Sequence, residues 1–216
     1  MSIIAFVGGT GPEGRGLAFR LALAGHHVII GSRRRERAEA AAAEIRSRTP
    51  QAQVGAGLNA DAVRKADMVF ITVPFEAQRD TLASLADEIG ERLVVSTAVP
   101  LVVEKGRAGT VAVPEGSAAE QAQALLPRAR VVGAFQNLSA HKLLEGDASL
   151  EMDVVVCGDD AEAKRTVMAL AEEVRGLRAV DGGPLANSRY VEDVTALLLN
   201  INRRYKAHAG IRIVGI

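Results

Sequence analysis

The segment Val7-Gly8-Gly9-Thr10-Gly11-Pro12-Glu13-Gly14 joins an apolar run, Ile3 to Val7, to a stretch with helical spacing, Gly16 to Ala24. Few folds allow a chain to leave a strand, turn through GxGxxG at Gly9, Gly11 and Gly14, and enter a helix at once. The run before the turn is continuous rather than alternating, as in a strand buried on both faces of a parallel sheet. In such a unit the first glycine permits the tight turn, the second lets backbone approach a pyrophosphate, and the third allows helix and strand to pack closely. The helix start adds unpaired N–H groups and the positive end of a dipole. Pro12 has no N–H, so Thr10, Gly11 and Glu13 are the expected donors.

Strand and helix signals then alternate. Gly25 ends the first helix, His27 to Gly31 is a second strand, and Glu36 to Ile45 is an alanine-rich helix. A weaker strand at Gln53 to Gly57 precedes clear ones at Asp67 to Val73 and Arg92 to Ser96, with a helix at Glu76 to Ile89 between them. Leu101 to Glu115 reads as a loop of mixed character, Ser117 to Leu126 as a helix, and Val131 to Phe135 as the strand that ends the main domain. Beyond it come a strand at Asp153 to Cys157, a helix at Asp160 to Val174, a short strand at Arg178 to Val180 and a helix at Asn187 to Tyr205; Ile211 to Val214 closes the chain. The expected fold is α/β, a Rossmann-type, mainly parallel sheet over residues 1–135 with a small C-terminal α/β domain over 136–216 packed closely on it. The apolar stretch Val194 to Ile201 has either its own core or a subunit interface to bury itself in.

With 216 residues, 48% of them hydrophobic, the chain can bury one sizeable core. Its formal net charge is +0, so no global field draws it to nucleic acid or an anionic membrane, and any basic site is local. No apolar run approaches the roughly 18 residues that span a bilayer. The amino terminus lacks the basic start of a signal peptide, and a cytoplasmic protein is expected. Cys157, the one cysteine, reads as a small buried hydrophobe at a strand end.

The local basic site follows the second strand. In NAD-binding members of this fold a carboxylate there binds the ribose hydroxyls and would repel an added phosphate. Here the place holds Gly31-Ser32-Arg33-Arg34. Arg33 and Arg34 offer guanidinium forks, the Ser32 hydroxyl can donate, and Arg37 reaches back from the first turn of the next helix, which together point to the 2′-phosphate of NADP. Arg35 reads as solvated.

The chain contains no HExxH, CxxC or GxSxG. A nicotinamide cofactor brings its own hydride chemistry and needs none of these from the chain, only alignment and exclusion of water. His26 and His27 read as solvated turn residues and His208 as equally bland, whereas His141 is placed to contact substrate or pyrophosphate. Asp159 and Asp160 read as caps of the helix that follows; Asn187-Ser188-Arg189 either caps a helix or lends Arg189 to an anionic substrate group.

Nearly the whole chain resembles the NADPH-dependent reductases of the deazaflavin coenzyme F420, the F420:NADP oxidoreductase family. The resemblance rests on Gly8-Gly9-Thr10-Gly11, Gly31-Ser32-Arg33-Arg34, Val156-Cys157-Gly158-Asp159-Asp160 and Asp181-Gly182-Gly183-Pro184-Leu185-Ala186-Asn187-Ser188-Arg189. It implies a small Rossmann domain and a short C-terminal domain, often in a homodimer, with nicotinamide and deazaflavin stacked in the cleft between them. It further implies that Thr10 to Glu13, in the turn that Gly9 opens, meet the NADP phosphates, that Ser32, Arg33 and Arg37 meet the 2′-phosphate, and that Val73, Pro74 and Val99 line the cofactor. Ala140 and Ala209 correspond to positions near the rings, and Gln136, Asn137, Leu138 and His141 are the ring-site candidates. Where the family commonly has histidine this chain has Gln136, which can hydrogen-bond a carbonyl or ring N–H but carries no positive charge. The residues leave open another flavin, a pterin or an imine as acceptor, and also a non-catalytic NADP-binding redox sensor.

Overall fold

In a computed structural model, which describes residues 1–146 and 148–216, β1 (Ile3–Val7) runs through the middle of an eight-stranded sheet. It pairs in parallel with β2 (His27–Ser32) on one side and β4 (Met68–Ile71) on the other. Beyond β2 lies β3 (Val54–Leu58); beyond β4 lie β5 (Leu93–Ser96) and β8 (Arg130–Gly133), all parallel. The sheet continues through β9 (Met152–Gly158), antiparallel to β8, into β10 (Leu177–Asp181), parallel to β9. Strand order reverses between β1 and β4, and the crevice at the C-terminal ends of strands at such a point is where open α/β sheets bind ligands.

Helices cover both faces. Ile4 and Phe6 of β1 share a core with Leu17 and Leu21 of α1 (Pro12–Leu23), Ala38 of α2 (Arg35–Arg48) and Val167 of α7 (Ala161–Glu172). Val7 and Ile71 pack instead with Leu82 of α4 (Phe75–Ile89) and Ala122 of α5 (Ala118–Leu125). Phe6, Phe70 and Phe135 form a row beneath the first face, with ring centroids 5.0 and 5.5 Å apart. Among the described residues no helix is long and apolar enough to cross a membrane.

Several expectations need correction. Helix α1 starts at Pro12 and not Gly16, because Gly11 is extended and proline fits the first helical position. Two short helices, α3 (Asn59–Arg64) and α6 (Ala140–Leu143), were not expected. The mixed loop is a β-hairpin, β6 (Leu101–Glu104) with β7 (Arg107–Thr110), closed by Lys105 and Gly106 at φ 46° and 79°. Two residues at positive φ match the right-handed twist of hairpin strands. The hairpin docks on α8 (Ser188–Tyr205), where the Asn200 carboxamide accepts from the Ala108 N–H at 2.9 Å and donates to the Ala108 carbonyl at 2.8 Å.

His26 is not solvated. It is buried, Ser2 N–H donates to its Nδ1 at 3.2 Å, and its Nε2 lies 2.9 Å from Glu173, just past α7. Arg35 is ion-paired with Asp61 at 3.0 Å. Cys157 is buried as expected, and burial pushes its thiol up to about 11. Asp160 caps α7 through the Ala163 N–H at 2.7 Å, whereas Asp159 accepts from Leu185 N–H at 2.9 Å, at a short 3-10 turn. Of the stretch Val194 to Ile201, Ala196 and Leu198 are buried while Leu197 is 56% exposed.

Candidate active-site cleft

The turn after β1 is held from below. Gly9 N–H donates to the carbonyls of Phe6 and Gly31 at 3.1 and 3.0 Å, drawing the turn over the end of β2. Gly8 has φ +74°, and a Cβ there would stand 2.4 Å from Val73 Cγ1. A Cβ on Gly14 would stand 2.7 Å from Gly9 Cα, so the start of α1 lies directly on the turn. A Cβ on Gly11 would meet nothing within 4 Å, because this glycine faces open cleft. Arg15 N–H reaches the Gly11 carbonyl at 2.9 Å, and the donors before it are those a helix start leaves without a helical partner. This is a cradle of the kind that holds a pyrophosphate.

The cleft above it has a volume of about 1060 Å³. Thr10, Gly11, Pro12 and Glu13 form its floor, and Ser32, Arg33, Arg34 and Arg37 form one end. Val73, Pro74 and Val99 follow β4 and β5 along the wall, and Gln136, Asn137, Leu138, Ala140, His141 and Ala209 surround the other end. Gly9 is the exception among the expected site residues. It points inward, where a Cβ would stand 2.7 Å from Phe6 Cβ, so it shapes the turn without lining the cleft.

At the basic end, the exposed guanidinium groups of Arg33, Arg34 and Arg37 have no side-chain partner among the described residues. Ser32 Oγ accepts from the Arg34 N–H at 3.2 Å, which leaves the hydroxyl proton free to donate.

The other end is set by α8 and by a strained corner. Phe135, buried and not glycine, has φ 69°, and the next two side chains turn into the cleft wall. Gln136 is 4% exposed, and neither its Nε2 nor its Oε1 has a hydrogen-bond partner among the described residues. Asn137 donates to the Asp153 carbonyl at 2.7 Å, and its Oδ1 is unpartnered. Helix α6, which carries Ala140 and His141, is drawn in by Arg20 of α1, which donates to the carbonyls of Lys142, Leu143 and Ala148 at 2.8, 2.9 and 2.8 Å. Gly16 permits that approach, since a Cβ there would stand 2.6 Å from Leu143 Cβ.

Among the described residues two carboxyl groups are held above their ordinary range. Glu13 rises to about 8 through burial, its Oε1 enclosed without a partner. Glu192 rises to about 7 through burial, offset by the N–H groups of Ala118 and Ala119 at 3.0 and 3.3 Å. It pins α8 to the start of α5.

Sequence reasoning missed several wall residues. Asn59, at the end of β3, accepts from the Gly8 N–H at 3.3 Å. A polar residue at the C-terminal end of a parallel strand was the available signal. Thr195 and Asn202 of α8 carry no local signal; Asn202 Oδ1 accepts from the Ala209 N–H at 2.6 Å and folds the segment after α8 over the cleft. His208, read as bland, stacks on His141 with ring centroids 3.9 Å apart and planes 7° from parallel. Arg189 does not line the cleft and lies over its neighbour Tyr190 at 4.6 Å; Asn187 donates to the Gly182 carbonyl at 2.7 Å and does not cap α8.

The family profile described as NADP oxidoreductase coenzyme F420-dependent matches residues 3–100. An F420-dependent NADP reductase of Methanocaldococcus jannaschii is 41% identical over 99% of this chain and 98% of its own. One from Methanothermobacter thermautotrophicus is 42% identical over 99% and 95%. The crystal structure of a putative F420-dependent NADP-reductase from Arthrobacter sp. FB24 superposes over 100% of both chains with a TM-score of 0.83 at 25% identity. A cleft at the β1–β4 reversal, an acid-free basic end after β2 and likeness along the whole chain lead to one conclusion: this chain belongs to the F420-dependent NADP reductase family.

Proposed function

We propose that this chain is an oxidoreductase that passes a hydride between NADP(H) and coenzyme F420. One observation carries the reading: a continuous cleft runs from three guanidinium groups, Arg33, Arg34 and Arg37, to a buried carboxamide, Gln136, and among the described residues neither the guanidinium groups have a side-chain partner nor the carboxamide atoms a hydrogen-bond partner. Groups left in that state by the protein are satisfied by a ligand that is an anion at one end and a hydrogen-bonding ring at the other.

When bound, the two cofactors supply the hydride chemistry themselves. The chain binds, orients and dries. Thr10 to Glu13 hold the pyrophosphate, Ser32, Arg33, Arg34 and Arg37 hold the 2′-phosphate, and Val73, Pro74 and Val99 flank the dinucleotide. Gln136, Asn137, Leu138, Ala140, His141 and Ala209 surround the rings. Leu138 and Leu198, both buried in the wall, keep water from the ring end. In this arrangement residues 1–135 form the NADP-binding domain and 136–216 complete the acceptor side. We assign the protein to the cytoplasm as a homodimer, a state supported by the exposed Leu197 and Tyr190 on α8 and Val103 on the hairpin docked against it.

The test is rapid anaerobic mixing of NADPH with the oxidised deazaflavin and the purified protein. Loss of NADPH absorbance with formation of the reduced deazaflavin is expected. NADPH binding without transfer would remove the acceptor assignment.

A further inference from the structure

We propose that Glu13 carries a proton when the cleft is filled and donates it in a hydrogen bond to an oxygen of the bound dinucleotide, so that ionisation of this carboxyl weakens binding. The inference rests on the reading of the cleft as an NADP site and adds a side-chain role, and a pH response, at its floor.

Glu13 stands on the first turn of α1, within the cradle formed by Thr10, Gly11 and Pro12, and lines the same cleft. Its Oε1 is shut from solvent, and no donor among the described residues reaches it. It makes no ion pair among the described residues. A carboxylate with one oxygen enclosed and unpartnered is costly in such a place, and protonation relieves the cost. The helix dipole at this end favours the anion, yet burial outweighs it and holds the group near 8. Glu13 is only part-buried and lines the cleft, so its other oxygen, which has no hydrogen-bond partner among the described residues, carries the O–H toward the space a polyanion is to fill.

The charged groups around it have other engagements or positions. On α1 itself Arg15 is paired with Glu44 of α2, and Arg20 is bonded to carbonyls of the α6 segment. His141 of α6 stacks on His208 and meets Glu145 at 3.2 Å. Arg33, Arg34 and Arg37 lie at the basic end, and none is bonded to Glu13. Thr72 beside Gly14 is uncharged and donates to the Val7 carbonyl at 3.0 Å.

The acceptor oxygen belongs to either a phosphate or the nicotinamide carboxamide, and the test separates them. NADPH affinity of the full chain is measured by calorimetry from about pH 7.5 to about pH 9.5, above the second ionisation of the 2′-phosphate at about 6 and within the reach of Glu13. Glu192, raised to about 7, does not line the cleft and is bonded to the N–H groups of Ala118 and Ala119. The dissociation constant is expected to rise with pH above about 8, approaching about tenfold per pH unit, with proton uptake on binding seen as a dependence of the heat on buffer. Glu13→Gln, which keeps a donor and cannot ionise, is expected to be flat across the window and to bind more tightly than the unchanged protein at its alkaline end. A pH slope shared by 2′-phospho-ADP-ribose, which lacks nicotinamide, assigns a phosphate oxygen; a slope seen only with NADPH assigns the carboxamide. Tight NADPH binding without slope or proton uptake overturns the role of Glu13 and leaves the cofactor site standing. Failure to bind NADPH at any pH overturns both.

Discussion

The Thr195 hydroxyl donates to the main-chain carbonyl of Gln136 at 2.8 Å, and this bond ties α8 to the corner that presents the unsatisfied carboxamide. The same hydroxyl also reaches the Val191 carbonyl at 3.1 Å, so its rotamer is fixed from within its own helix. Thr195→Val keeps the shape and removes the bond. The expected cost in stability is about 1 kcal/mol. Deazaflavin reduction is expected to slow several-fold while the NADPH dissociation constant is unchanged, as single-turnover kinetics and titration would show.

Arg33 and Arg37 bear on cofactor choice. Replacing either by Ala removes a charge-assisted contact worth about 1.5–3 kcal/mol, or about 10- to 100-fold in affinity for NADPH. NADH, which lacks the phosphate, is expected to bind as before. The ratio of kcat/KM for the two dinucleotides measures this, and an unchanged ratio in the double variant would remove the 2′-phosphate site.

Gln136→Leu separates folding from function. A buried amide with two unmet hydrogen-bonding atoms is costly in the free protein, so an apolar side chain of similar size is expected to raise Tm. The same change is expected to lower acceptor reduction at least tenfold, because the ring edge loses its partner. Thermal unfolding and steady-state rates on one preparation check both arms.

Glu192 makes stability fall with rising pH. Its pKa is raised in the folded chain to about 7 from an ordinary value near 4.5. Between those values the folded state holds the proton more firmly than the unfolded chain does. This contribution is therefore fully present below about 4.5 and lost as pH rises through about 7. Glu192→Gln is expected to flatten that part of the profile, read by denaturant unfolding at a series of pH values.

Much of the first half of the fold was legible because its signals are local. Ile3 to Val7, the glycines after it and the arginines after Ser32 are contiguous, and their chemistry does not depend on distant segments. The hairpin was not legible, since Lys105-Gly106 lacks the Asn-Gly signature of its turn. The burial of His26 depends on Glu173, 147 residues further along the chain. The ring end of the cleft is assembled from α6, α8 and the segment after it. Thr195, Asn202 and His208 have no motif to mark them, and only the folded chain brings them beside Gln136. Gly16 is a case between the two: its helical setting was read correctly, but its reason, the approach of Leu143, lies 127 positions away.

The carboxamide of Asn200 offers Ala108 the same donor and acceptor that a neighbouring strand would, standing in for a missing third strand. A helix side chain thus completes a two-stranded ribbon that would be marginal in water alone. Exchanging this ribbon between homologues is therefore a two-part graft, and the residue at position 200 has to travel with it.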